Sequence, residues 1–170
     1  MINLFIKVNF LKSVLIQIIV FFTIFQGLSM LRETDMLPTG EQIAEQVIVV
    51  ETLDYKTIVL SPLKQKTVVY FFAPWCQICH ASISNLQALY EKNPQINVIA
   101  VALDYVDQKE VFEFSSLHQL TFPIALGTED IKTKFKIEGY PSYYVIDDKN
   151  TVIAKSMGYS SEIGLFLRTL

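Results

Sequence analysis

The chain has 170 residues with a formal net charge of −3, and 51% of its residues are hydrophobic. This content is enough for one packed domain, which excludes a chain that is disordered throughout. Lysine and arginine do not cluster, so the sequence has no basic surface of the kind that binds nucleic acid. We therefore expect no nucleic-acid partner.

The N-terminal residues differ in character from the rest. No charged side chain occurs from 13 to 31, and Lys7 and Lys12 precede this run. A helix rising about 1.5 Å per residue would make the run roughly 28 Å long, close to the thickness of a bilayer's hydrocarbon core. Because the lysines precede the run, the positive-inside rule keeps the N-terminus cytoplasmic and places the following domain on the outer side. Residues 1–31 are thus predicted to be a membrane anchor.

A cleaved signal peptide is the alternative interpretation of the same residues. Gly27 and Ser29 are small residues where a signal peptidase could cut, which would leave a mature chain that begins at Met30. The anchor places the domain on the outer (periplasmic or extracytoplasmic) side of the membrane, whereas cleavage secretes it to the periplasm. Both interpretations export the domain.

A polar stretch separates this segment from the folded domain. Residues 32–46 contain Pro38 and Gly40, which interrupt regular structure, so we expect a short linker. Residues 47–170 then alternate apolar runs rich in Val, Ile, Tyr and Phe with helix-like segments. This rhythm predicts an α/β domain with a central mixed β-sheet flanked by helices.

The strongest element signals lie in the first half of this domain. The run TVVYFF at 67–72 has the unbroken apolar character of a strand buried on both faces. A helix then continues to about Lys92, with one apolar stripe of Cys79, Ile83, Leu86 and Tyr90. The later elements are predicted to be a strand at 96–103, a helix from Asp107 to about His118, a short strand at 122–126, a brief helix capped by Thr128, strands at 142–146 and 151–157, and a terminal helix with an apolar face of Ile163, Phe166, Leu167 and Leu170.

The two cysteines of the chain, Cys76 and Cys79, stand three residues apart at the predicted start of the helix that follows the buried strand. Unpaired backbone N–H groups and the positive end of the helix dipole favour a thiolate on Cys76. The two-residue spacer lets the Cys79 thiol reach the Cys76 sulfur. The pair can therefore cycle between dithiol and disulfide, and this chemistry needs no metal and no organic cofactor.

Three other interpretations of the motif remain open. A zinc site would need two further ligands, and the chain has no other cysteine and only His80 and His118. An idle disulfide in a binding or scaffold domain would gain little from closing so short a loop. The sequence CQICH also matches the attachment pattern of c-type haem, although the buried strand before it argues against haem. We then expect His80 to be an exposed helical side chain and His118 a capping or surface residue.

The stretch VVYFFAPWCQIC, with Gly139-Tyr140-Pro141 and the strand SYYVID downstream, resembles the thioredoxin superfamily. More narrowly, it is similar to the exported TlpA/ResA/DsbE-like thiol-disulfide oxidoreductases. The resemblance implies a thioredoxin-like fold over residues 47–170, with Cys76 as the exposed nucleophile and Cys79 as the buried resolving thiol. It also implies protein thiol or disulfide substrates and a membrane redox partner that supplies or removes electrons.

The resemblance further implies a substrate-binding rim around the cysteines. Pro141 would be a cis-proline lying against the disulfide, Tyr140 would offer its backbone to an extended substrate peptide, and Trp75 would shape the rim beside the sulfur. The chain departs from its relatives at two positions. Tyr70 stands where thioredoxin has a buried Asp, and Ser82 stands where ResA-like proteins have a Glu. The sequence therefore identifies no group that accepts the proton of the resolving cysteine, and it does not assign the direction of electron flow.

Overall fold

The computed structural model describes residues 12–24, 27, 33–43, 48–60 and 65–170. The chain divides into two units, Met1–Thr34 and Asp35–Leu170. In the first unit, residues 12–24 form a helix whose apolar side chains, among them Leu15 and Phe22, are largely exposed. Within the described residues, no helix reaches the length and apolarity that crossing a membrane requires.

The predicted membrane anchor at 1–31 is only partly covered by this description. Residues 1–11, 25–26 and 28–32 lie outside the described residues. The anchor therefore stays a prediction, as does the cleavage site after Ser29.

The second unit is built on a five-stranded mixed sheet with the strand order β5-β4-β3-β6-β7, beside a two-stranded hairpin of β1 and β2. The central strand β3 pairs in parallel with β4 and antiparallel with β6, which confirms the predicted mixed sheet. The strands are β1 (Val49–Glu51), β2 (Thr57–Val59), β3 (Thr67–Phe72), β4 (Asn97–Ala102), β5 (Ile124–Leu126), β6 (Ser142–Ile146) and β7 (Val152–Met157). The helices of this unit are α1 (Gln77–Lys92), α2 (Gln108–Leu117), α3 (Glu129–Lys134) and α4 (Glu162–Arg168).

Strand β3 is buried along its whole length, as its unbroken apolar sequence predicts. Because side chains alternate across a strand, Tyr70 and Phe72 face one layer while Val69 and Phe71 face the other. The first layer contains α1, α2 and α4, and Phe72 stacks on Phe114 of α2 with ring centroids 4.6 Å apart. The second contains α3 and the residues that precede the sheet. The sheet thus lies between two apolar layers.

The structure differs from the predicted linker at 32–46. Met36, Leu37 and Ile43 are buried in the second layer, and Val152 donates its N–H to the carbonyl of Glu41 at 2.9 Å. Residues 35–43 are therefore part of the folded unit, whereas residues 44–47, with the predicted domain start, lie outside the described residues. Three apolar side chains at irregular spacing beside Pro and Gly give no periodic signal, which explains the discrepancy.

The predicted apolar face of the terminal helix is wrong. Ile163, Leu167 and Leu170 are 60–79% exposed, whereas Leu165 is buried and Phe166 packs against the core. This two-turn helix is apolar at most positions, so several stripes fit its sequence equally well. Packing against α1 and the sheet, not periodicity, selects the buried face.

Tyr144 joins three parts of the fold through one buried hydroxyl group. This hydroxyl donates to the carbonyl of Phe135 at 2.6 Å and accepts the N–H of Leu37 at 3.1 Å. Burial raises the pKa of Tyr144 to about 12, so the hydroxyl keeps its proton at ordinary pH. The side chain therefore connects β6 to the end of α3 and to the segment before β1.

We expect Tyr144→Phe to lower the free energy of unfolding by about 1–3 kcal/mol, because two buried backbone groups lose their partner. Urea unfolding followed by Trp75 fluorescence measures the change. The matched control is Tyr55→Phe, since Tyr55 is 78% exposed. Equal losses in the two variants would contradict the assigned role of the buried hydroxyl.

Candidate active site

The two cysteines lie where the central strand passes into the first helix of the sheet domain. After β3 ends at Phe72, the chain turns so that Cys76 donates its N–H to the carbonyl of Ala73 at 3.0 Å. Cys76 is the N-cap of α1, and its Sγ accepts the N–H of Cys79 at 3.2 Å. A sulfur at this place faces N–H groups without intrahelical partners and the positive end of the helix dipole. Cys76 therefore lies at the N-terminus of the helix, where the sequence predicts it.

The two sulfurs lie in unequal surroundings. Both cysteines are free thiols and both are buried, which corrects the expectation that Cys76 is exposed, although Cys76 retains 7% exposure and Cys79 has none. Cys79 lies on the apolar stripe of α1 together with Ile83 and Leu86, which confirms that stripe. Burial raises the pKa of Cys79 well above the ordinary thiol value, and its hydrogen bond with Cys76 raises it further. Cys79 therefore stays a neutral thiol to a more alkaline pH than an exposed cysteine.

A buried pair of hydroxyl groups lies one helical turn beyond Cys79. The Tyr70 hydroxyl and Ser82 Oγ are 2.6 Å apart, and both side chains are buried. Burial raises the pKa of Tyr70 well above its ordinary value, with the nearby Cys79 as the second cause. These two positions, which carry carboxylates in thioredoxin and ResA-like proteins, therefore hold neutral hydroxyls. They can donate or accept hydrogen bonds, but they hold no base for the Cys79 proton.

Two of the three residues expected at the rim, Trp75 and Tyr140, contact each other. The Tyr140–Pro141 peptide bond is cis, as the resemblance implied, and Pro141 is buried. The Trp75 ring meets the edge of the Tyr140 ring at a centroid distance of 5.9 Å and an interplanar angle of 86°. Trp75 is 61% exposed, so it presents an apolar surface next to the buried cysteines.

Asp104 connects the members of this rim, and the sequence analysis missed it. Its carbonyl accepts the Trp75 indole N–H at 2.9 Å, and its carboxylate accepts the Tyr140 hydroxyl at 3.0 Å. Lys132 of α3 donates to the same carboxylate at 2.8 Å. Burial, followed by the hydrogen bond to Asp104, raises the pKa of Tyr140, so its hydroxyl remains a donor. One signal was present, because an acidic residue just past a buried parallel strand lies at the edge where sites form.

The two histidines contact each other, which corrects the prediction that His80 is exposed. His80 is half-buried, with Nδ1 2.8 Å from His118 Nε2 and Nε2 2.8 Å from the carbonyl oxygen of Pro74. His118 is the C-cap of α2, as predicted. Haem attachment would need an accessible Cys79 and a free His80 nitrogen. Cys79 is buried, and both ring nitrogens of His80 have hydrogen-bond partners. Within the part of the chain that the structure describes, no three His, Cys, Asp or Glu residues are grouped to hold a metal.

The chain is similar to known thiol-disulfide oxidoreductases in sequence and in fold. The sequence profile of the AhpC/TSA family matches residues 41–155. The thiol-disulfide oxidoreductase ResA of Bacillus cereus (strain ZK / E33L) is 30% identical over 142 residues, which cover 81% of this chain and 79% of the relative.

Two solved structures share the fold. StoA from Bacillus subtilis has a TM-score of 0.68 and 22% identity, and the match covers 75% of this chain and 99% of StoA. A thiol:disulfide interchange protein of the thioredoxin family from Chlorobium tepidum TLS has a TM-score of 0.67 and 21% identity, with coverage of 80% and 97%. These likenesses confirm the predicted thioredoxin-like fold.

The unequal burial of the sulfurs predicts the order in which they react. In the reduced protein, iodoacetamide should label Cys76 first. Because only the thiolate reacts, labelling of Cys79 should increase only toward the alkaline end of a series between about pH 6 and 9. Peptide mapping by mass spectrometry measures both sites, and protein unfolded in urea is the control in which the difference disappears. Earlier labelling of Cys79 in the folded protein would contradict the prediction.

Proposed function

We propose that this chain, which belongs to the AhpC/TSA family and is a thiol-disulfide oxidoreductase, exchanges disulfides with exported proteins through Cys76 and Cys79. The observation that carries the proposal is the asymmetry of the two thiols. Cys76 caps the N-terminus of α1 and retains 7% exposure, whereas Cys79 is fully buried three residues further along. One sulfur is thus placed to meet a substrate and the other only to meet its neighbour.

The reaction follows from this placement. The Cys76 thiolate attacks a substrate disulfide, a new S–S bond joins Cys76 to the substrate, and the displaced substrate sulfur leaves as a thiolate that takes a proton. Cys79 then loses its proton and attacks Cys76, which releases the second substrate thiol. The protein ends as the Cys76–Cys79 disulfide, and the substrate has gained two electrons and two protons. The same steps in reverse oxidise a substrate dithiol.

The surroundings of Cys79 affect the second step most. The pKa of Cys79 is raised, and the neighbouring Tyr70 and Ser82 carry neutral hydroxyl groups. Neither of these two positions therefore supplies a carboxylate that could take the Cys79 proton. The substrate thiolate that Cys79 displaces becomes a base as the S–S bond breaks, so it can receive this proton. Resolution should therefore be slower at acidic pH, where less of the Cys79 thiol ionises.

The rim around Cys76 suits an extended polypeptide. Trp75 and Ile78 flank Cys76 in the sequence and are 61% and 49% exposed. The Tyr140 ring packs against Trp75, and its hydroxyl is held in place by Asp104. An apolar rim around a small reactive opening favours unfolded or flexible segments that carry a cysteine.

The N-terminal run supports a location outside the cytoplasm. We assign residues 1–31 as an anchor that holds the catalytic domain on the outer face of the membrane. Each turnover leaves the cysteine pair in the opposite redox state, so a second redox protein must restore it. A membrane protein is the partner that fits an anchored domain.

The unequal roles predict different behaviour of two cysteine variants. In Cys79→Ala the resolving thiol is absent, so mixed disulfides between Cys76 and substrate proteins should accumulate several-fold on non-reducing gels. Cys76→Ala leaves only the buried thiol and should trap few partners. The variant without either cysteine gives the background. Equal trapping by both single variants would refute the assigned roles, and no exchange by the wild type would favour a binding domain with an idle disulfide.

The anchor predicts how the protein partitions between membrane and soluble fractions. Full-length protein should sediment with membranes, whereas a chain beginning at Arg32 should be soluble and folded, since residues 35–43 then still pack on the sheet. Cell fractionation and N-terminal sequencing measure this. A mature protein that begins at Met30 would show a cleaved signal peptide instead of an anchor.

A further inference from the structure

We infer that His80 and His118 form a pair that binds one proton and thereby adds a positive charge beside Cys76 as the pH falls. This charge keeps Cys76 reactive in acidic surroundings. The inference rests on the proposed role of Cys76 and extends it to two residues that the exchange reaction does not itself use.

His80 lies one helical turn after Cys76 on α1. His80 follows Cys76 by four residues, and residues with this separation share one face of a helix, with Cβ atoms about 5–6 Å apart. Helical side chains lean toward the N-terminus, and the His80 Nε2 atom reaches the carbonyl oxygen of Pro74 at 2.8 Å. Pro74 precedes Cys76 by two residues, so the ring extends along the turn that carries the nucleophile.

The hydrogen bonds fix which nitrogens carry protons in the neutral pair. A carbonyl oxygen only accepts, so His80 Nε2 carries a hydrogen and donates it to Pro74. In a neutral ring the other nitrogen, Nδ1, is then an acceptor. The contact of 2.8 Å to His118 therefore requires His118 Nε2 to be the donor. The neutral pair has one defined arrangement.

One added proton fits this arrangement, and a second does not. A proton on His118 Nδ1 leaves the N–H···N bond intact, and a shift of the bridging hydrogen moves the charge onto His80. A second proton would set two N–H donors and two like charges against each other, which breaks the contact. The two rings therefore titrate as a coupled unit that holds one positive charge.

The groups around the pair determine when it is charged. Burial lowers the pKa of His118, and the neighbouring His80 lowers it further, so His118 is neutral at pH 7. Glu110 and Glu113 of α2 line a cavity of about 360 Å³ together with His80. The Nζ atom of Lys109 lies 3.7 Å from Oε1 of Glu113. On α1, the titratable groups within one turn before His80 are Cys76 and Cys79. Negative carboxylates and a Cys76 thiolate favour the added proton.

The charge and the thiolate therefore support each other. A positive charge within one helical turn of Cys76 stabilises its thiolate, and by linkage the thiolate favours the protonated pair to the same extent. As the pH falls, protonation of the pair adds this charge while the thiolate fraction of an isolated thiol decreases. Cys76 then keeps a reactive fraction at lower pH than the helix N-terminus alone would maintain.

The first test uses full-length wild-type protein in detergent micelles. The chain has only two histidines, so NMR of the ring Cε1–H groups gives two signals that can be followed from about pH 4.5 to 8. We expect both signals to report the same coupled titration, and its midpoint to fall when Cys76 is blocked by iodoacetamide. Two signals with different midpoints, neither of which changes when Cys76 is blocked, would overturn the inference.

The second test measures the rate at which iodoacetamide modifies Cys76 over the same pH range. His80→Gln keeps an N–H donor for Pro74 but cannot be charged, and His118→Gln removes the partner ring. At about pH 5 both variants should react about tenfold more slowly than wild type, and all three should converge at alkaline pH. Ser84→Ala, an exposed change one turn further along α1, is the matched control and should follow wild type.

A wild-type profile retained in both His variants would refute the inference and leave the proposed exchange function intact. Disulfide exchange with oxidised glutathione, measured in the same samples, tests that function separately. If wild-type protein fails to exchange yet shows the histidine-dependent profile, the inference holds and the proposed function is wrong.

Discussion

The complete burial of β3 determines where the chemistry of this protein takes place. Because β3 is covered on both faces, the chain can reach the surface only where this strand ends. Helix α1 starts just beyond this end of the strand and packs its apolar stripe against β3. The N-terminus of α1, with its unpaired N–H groups, is therefore fixed at the boundary between core and solvent. Cys76 lies at this boundary because the burial of β3 and the packing of the apolar stripe of α1 fix its position.

The same packing separates the functions of the two thiols. Three residues after Cys76 the helix has turned inward, so Cys79 lies among apolar side chains with Tyr70 and Ser82 as the nearby polar groups. Burial protects Cys79 from solvent and from bulky reagents, but it also disfavours the thiolate that the resolving step needs. A neutral hydroxyl pair can satisfy its own hydrogen bonds inside the core without the cost of burying a charge. Stability of the core and ease of deprotonation therefore oppose each other at this position.

Polar contacts outside the core hold the groups that a substrate would meet. Asp104 connects the Trp75 indole to the Tyr140 hydroxyl, and its ion pair with Lys132 attaches this rim to α3. The histidine pair reaches the turn before Cys76 through the Pro74 carbonyl. The nucleophile is thus surrounded by positioned groups from several separate chain segments, although the thiol itself belongs to only one.

Local patterns in the amino-acid sequence are sufficient to predict several elements of the fold. Continuous apolar runs predicted β3 and β6 with their observed bounds, the stripe through Cys79 predicted the inward face of α1, and the CxxC motif after a buried strand predicted the thiol pair. The contacts of Asp104 with Tyr140 and of His80 with His118 arise only when the chain folds, since each joins residues more than thirty positions apart. Periodicity records which face of an element is apolar, but it does not record which polar groups from distant elements meet. Which polar groups meet depends on how helices and loops pack against the sheet, and the same packing determines which face of α4 is buried.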